Sequence, residues 1–79
     1  MADLEKLQKR IGKRIKALRA ERNMKQQELA SLCDLEKSHM SRIEAGGQNL
    51  TLKMLLKIST ALKIEIHELL VFQQESKKK

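Results

Sequence analysis

The sequence predicts an all-α fold of five helices, and three observations carry that prediction. The 79 residues contain no proline and only three glycines, so nothing opposes long helices and there is little turn chemistry for an all-β fold. Apolar residues recur at spacings of three and four along most of the chain, the period of one helix face. Hydrophobic residues make up 41% and charged residues 34%, enough for one modest core and too few for two domains.

The first helix is expected over residues 1–22, where Leu4, Leu7, Ile11, Ile15 and Leu18 form the apolar stripe. Lys6, Lys9, Arg10, Lys13, Arg14 and Lys16 fill the other positions and make it a basic amphipathic helix. Gly12 in its middle costs about 1 kcal/mol against Ala, so a kink or a break into a leader and a first core helix is expected there. Asn23 suits a turn because Asn tolerates left-handed backbone. A short helix follows over residues 26–33, with Leu29, Ala30 and Leu32 inward, and Asp34 ends it. The third helix spans residues 37–45 with Met40 and Ile43 inward. Glu36 stands at its start, where a negative charge suits the helix dipole, and Gly46-Gly47 closes it. Thr51 caps a fourth helix, whose apolar residues are Leu52, Leu55, Leu56 and Leu62, widened by Met54 and Ile58. A link at 63–65 leads to a fifth helix over residues 66–72, followed by a polar tail, 73–79, expected to be disordered.

Composition excludes several kinds of function. Phe72 is the sole aromatic residue, whereas proteins that stack bases of single strands need several on one face. The lone Cys33 rules out an internal disulfide and a cysteine zinc site, and reads as a small core residue. His39 and His67 lie far apart and neither has a Cys, Asp or Glu at an i+3 or i+4 spacing that completes a site, so no metal and no cofactor are expected. There is no glycine-rich phosphate loop, no HExxH pair and no nucleophile elbow, so no catalytic residues are assigned. No apolar run approaches the ~20 residues needed to cross a bilayer, and no signal peptide is visible. A cytoplasmic protein without membrane partners is expected. The formal net charge is +7, of which Lys77, Lys78 and Lys79 supply three; the remaining +4 favours a polyanionic partner only weakly.

Position decides what charge does not. A short helix, a tight four-residue break and a second short helix place Lys37, Ser38, His39, Ser41 and Arg42 on one exposed face. One helix fits the major groove of B-DNA, where Arg and Lys suit the O6 and N7 acceptors of guanine. The plain alternative is an ordinary solvated helix face.

Residues 11–70 resemble the helix-turn-helix family of phage Cro and cI repressors and their bacterial relatives. The segments that carry the resemblance are IGKRIKALRAERNMKQQELA, SHMSRIEAG and LKMLLKISTALKIEIHELL, in the family's order and spacing. The resemblance implies a lambda-repressor-like domain over residues 11–72, with the helix-turn-helix at helices two and three. It implies that Lys37, Ser38 and Arg42 read base edges and that Gln26 contacts a phosphate. Glu36, His39, Ser41 and the loop Gly47, Gln48 and Asn49 take secondary or backbone contacts. Arg19 and Glu44 match the family's semi-buried ion pair, read here as structural. Three positions depart from the family pattern. Lys25 stands where Ser or Thr caps the second helix, Asp34 replaces the glycine of the turn, and Lys63 replaces a glycine after the fourth helix.

Ile64, Ile66, Leu70, Val71 and Phe72 crowd the last segment, more than a short helix can bury, and are expected to form a homodimer interface. The function expected is a dimeric repressor or autoregulator that binds double-stranded DNA at a pseudo-palindromic operator. Restriction–modification controllers and antitoxins are biological variants of it. The alternative is a protein-interaction module with an acidic partner. Residues 1–10 form a basic leader, expected to extend the first helix, with a DNA-contacting arm and a frayed end as alternatives.

Overall fold

The computed structural model describes residues 2–72; the tail at 73–79, expected to be disordered, lies outside the described residues. Four α-helices follow in order: α1 (Ala2–Glu21), α2 (Gln26–Leu32), α3 (Lys37–Ala45) and α4 (Leu52–Leu62). A 3₁₀ turn, Ile66–Leu70, stands where a fifth helix over residues 66–72 was expected. The reason lies across the fold. Arg14 Nε donates to the Glu68 carbonyl at 2.9 Å, and that oxygen is the one an α-helical turn would give to the amide of residue 72. The chain is extended by Val71.

The core collects residues from every element. Ile11, Ile15 and Leu18 come from α1, Leu29, Ala30 and Cys33 from α2 and its end, and Met40 and Ile43 from α3. Ile58 and Leu62 of α4 and Leu69 of the 3₁₀ turn close it. Full burial of such aliphatic side chains contributes about 1.5–3 kcal/mol each. Burial holds the Cys33 thiol above its ordinary pKa, against a weaker opposing pull from Lys57, so it stays protonated.

All four helices stop by one device. Asn23, Asp34, Gly46 and Lys63 take left-handed backbone, with φ of 53°, 58°, 84° and 61°. In each case the next amide reaches back five residues: Met24 to the Arg19 carbonyl, Leu35 to Ala30, Gly47 to Arg42 and Ile64 to Ser59. This is the Schellman pattern. Met24, Leu35 and Ile64 then pack on the core, so the stop also anchors the chain that follows. Helix starts are less uniform. Thr51 Oγ1 accepts from the Met54 amide at 3.1 Å. At α2 the Lys25 side chain caps nothing, and Glu28 Oε1 instead accepts from the Lys25 amide at 2.7 Å.

Three sequence expectations are corrected. There is no break at Gly12: α1 is continuous, and a Cβ at Gly12 would lie 2.5 Å from the Glu44 carbonyl oxygen and 2.6 Å from that of Ile43. Glycine is there to let α3 approach α1, which offsets its cost in helix propensity. Leu32 does not point inward but is 61% exposed, and Cys33 takes the buried place. Leu52 and Leu56 are likewise exposed, at 79% and 58%. An eleven-residue helix that is largely apolar has more such surface than one small core covers.

Candidate nucleic-acid interface

The helix that carries the expected base-reading residues is fixed chiefly from behind and at its C-terminal end. Arg19 on α1 grips Glu44 with one edge of its guanidinium: Nε donates to Oε2 at 2.8 Å and Nη2 to Oε1 at 3.0 Å. Arg19 Nη1 also donates to the Met24 carbonyl at 2.8 Å, which ties the grip to the α1 stop. Gln26 Nε2 adds a third donor to Glu44 Oε1, at 3.0 Å. One buried carboxylate therefore joins the first turn of α2, the last turn of α3 and the last turn of α1. The hydrogen bond to Glu44 raises the Arg19 pKa above its already high value, outweighing the opposite effect of burial, so the guanidinium keeps its charge. The close approach at Gly12, about two turns earlier along α1, reinforces this brace.

The outward face of α3 is left free. Lys37, Ser38, Ser41 and Arg42 are exposed, and among the described residues their side chains make no hydrogen bond or ion pair. Glu36, the N-cap residue, is exposed and caps nothing with its side chain. His39 is half-buried, beside rather than on the outermost line of the face. Met40 and Ile43 hold the opposite side in the core. A rigid backbone thus carries two cations and two hydroxyls on one side, with donors unspent.

Two further groups were expected to flank this face. Gln26 is half-buried and spends one N–H on Glu44, leaving the other available. Gly47 and Asn49 are exposed and Gln48 is half-buried, in the loop that follows α3. Sequence reasoning missed the support of that loop: Gln8 Nε2 donates to Asn49 Oδ1 at 2.9 Å, and a Cβ at Gly46 would lie 2.7 Å from Lys9 Cα. These contacts span some forty positions, and no local pattern signals them.

The expected dimer set is divided. Leu70 and Val71 are exposed, whereas Ile64, Ile66 and Phe72 are half-buried against the core. The Arg10 guanidinium stacks over the Phe72 ring, 4.4 Å from its centroid. Among the described residues no cluster of His, Cys, Asp or Glu could hold a metal ion, and no helix is long and apolar enough to cross a membrane.

A long helix that braces a short helix pair, with the second helix of the pair presented outward, is the arrangement of a helix-turn-helix domain. A helix-turn-helix family model matches residues 15–69. The chain belongs to the Cro/cI-type helix-turn-helix family, whose members are DNA-binding transcription regulators and not enzymes. Within that family it is similar to the control protein C.BamHI of Bacillus amyloliquefaciens, 39% identical over 63 residues that cover 78% of each chain. It is also similar to the restriction-modification controller protein C.AhdI from Aeromonas hydrophila. That structure matches with a TM-score of 0.76 and 38% identity over 87% of this chain and 98% of the other. The biofilm master regulator SinR, solved in complex with DNA, matches with a TM-score of 0.71 and 39% identity over 77% of this chain and 98% of its own.

Proposed function

We propose that this chain is a regulator of the restriction–modification controller kind, acting as a homodimer on a pseudo-palindromic operator. The observation that carries the reading is the state of α3: braced by Arg19, Gln26 and Gly12, yet with Lys37, Ser38 and Arg42 uncommitted to the protein itself. In the major groove Arg42 and Lys37 donate to guanine acceptors, and Ser38 accepts or donates as the base requires. Residues 47–49 and the free N–H of Gln26 meet phosphates, which fix register without reading sequence. Because α3 is already held in place, little of the binding free energy goes into ordering it.

One protomer presents few base contacts, so tight binding calls for two. Exposed Leu70 and Val71, with the segment around them, supply an apolar face for a two-fold partner. The two recognition helices then lie about 34 Å apart, one turn of DNA. Occupancy depends steeply on protomer concentration, which suits a protein that controls its own synthesis. Its place of work is the bacterial cytoplasm, at the nucleoid when bound. The controller reading rests on similarity to C.BamHI and C.AhdI over more than three quarters of each chain.

The test is selection of bound sequences from a random duplex pool, followed by titration of the recovered duplex with wild type and Arg42→Ala. An inverted repeat is expected, with preference relaxed at one position per half-site in the variant. A site beside a restriction or methylation gene in the source genome supports the controller reading. Recovery of no motif, with weak binding that vanishes at moderate salt, would point to phosphate attraction alone and send the search to a protein partner.

A further inference from the structure

We propose that Gln8, on the leader half of α1, is a positioning residue for DNA-backbone binding: it holds the Asn49 amide so that its NH₂ faces outward as a phosphate donor. The inference rests on the operator reading above and names a part of the binding surface outside the helix-turn-helix itself. Gln8 lies upstream of the segment matched by the family model, which begins at residue 15.

An asparagine amide has two unlike ends. Its oxygen only accepts hydrogen bonds and its nitrogen only donates them. A phosphate only accepts, so a loop asparagine serves it in one of two orientations and opposes it in the other. Here the choice is made in advance. Gln8 Nε2 donates to Asn49 Oδ1 at 2.9 Å, which leaves Asn49 Nδ2 as the outward end. Among the described residues Nδ2 has no partner, and Asn49 is exposed.

The backbone is set at the same place. Gly46 takes φ +84° where Lys9 crosses, and a Cβ there would lie 2.7 Å from Lys9 Cα and 2.6 Å from its Cγ. Leader and loop are therefore in contact through main chain at residue 46 and through side chain at residue 49. The next cation along the leader, Lys9, is itself exposed beside the loop. The Gln8–Asn49 bond is open to solvent, so it adds little to folding. Its effect lies in preorganisation: an amide already turned donor-outward loses less freedom when the phosphate arrives.

The experiment uses the full chain and the duplex recovered by selection. Affinities are measured for wild type, Gln8→Ala, Asn49→Ala, the double variant and Arg42→Ala, alongside thermal melts. Each is repeated on duplexes in which single phosphates are replaced by neutral methylphosphonates. Gln8→Ala is expected to weaken binding about threefold per protomer, hence about tenfold for a dimer, with unchanged base preference and melting temperature. The double variant is expected to bind no more weakly than Asn49→Ala. One phosphate per half-site, costly to neutralise for wild type, is expected to lose that cost in both single variants. A purely structural role for Gln8 would leave the methylphosphonate penalty intact. If the penalty survives Gln8→Ala, or the two substitutions simply add, the assignment is overturned while relaxed preference in Arg42→Ala keeps the operator reading. If Arg42→Ala changes no preference, the operator reading falls and the assignment with it.

Discussion

The two ends of α3 are treated in opposite ways. At the C-terminal end three contacts from α1 converge within four residues. Gly12 meets the carbonyls of Ile43 and Glu44, Arg19 grips the Glu44 carboxylate, and Lys9 crosses Gly46. At the N-terminal end the turn is anchored by Cys33 and Leu35 and by no contact from α1 comparable to these, and Lys37 and Ser38 stand clear of the protein. The backbone stop is the same on both sides, yet one is glycine and the other aspartate. Asp34 is exposed, so its left-handed backbone costs something but its side chain meets nothing. At residue 46 the leader occupies the space where a side chain would go. The lesson is that a helix can be clamped at one end so that the other needs no ties, and the untied end is the one offered to a partner.

That contrast can be broken at the clamped end with the largest effect. Glu44→Ala is expected to destabilise the fold by about 3–5 kcal/mol, since it strands the Arg19 charge and unbinds Gln26. Urea denaturation measures it; a loss below 1 kcal/mol would mean the brace is dispensable. Gly46→Ala comes next, at about 2–4 kcal/mol, because left-handed backbone and a main-chain clash with Lys9 add. Gly46→Asn sharpens the point: it relieves the backbone term and keeps the clash, so recovery to wild-type stability would show that Lys9 is not the obstacle.

On the free outward face of α3 stability and binding are expected to separate. Lys37→Ala and Arg42→Ala are expected to leave the denaturation midpoint unchanged, within ~0.5 kcal/mol. Each should weaken operator binding by about 1–3 kcal/mol, with relaxed base preference. Parallel losses in melts and titrations would erase the distinction between the clamped end and the free face. The smallest effect belongs to the stops themselves. Lys63→Gly is expected to raise stability by about 1 kcal/mol, and Asp34→Gly by less, because Asp tolerates the left-handed region better than Lys. A thermal melt that falls for Lys63→Gly would show that its side chain contributes something its exposure hides.

Much of this was legible in the residues. Periodicity placed α1 to α4 within a residue or two, and Asn23, Gly46 and Thr51 marked their boundaries for the right physical reasons. The helix-turn-helix followed from a short helix, a four-residue break and a second helix with a polar face. What the pattern missed depends on partners far away in the chain. Gly12 read as a weakness in α1 because the helix that needs its missing side chain is thirty residues downstream. Leu32 read as inward, and Leu52 and Leu56 as part of one apolar face, because periodicity reports an apolar stripe, not whether anything covers it. The last segment read as α-helix because nothing local announces that Arg14 takes the Glu68 carbonyl.

Cys33 gives the molecule a clock. Its sulfur sits at the end of α2, in the turn that leads to α3, 1% exposed and held protonated by burial. Thiol reagents attack the thiolate, so the folded state offers them neither access nor the reactive form. Labelling then waits for the helix pair to part, and its rate counts those openings. The same burial couples the fold to alkali. A thiol whose pKa is raised on folding stabilises the native state below its unfolded pKa, and that contribution drains away as pH climbs through the folded value. With one cysteine in the chain, every label added records an opening at the junction between α2 and α3.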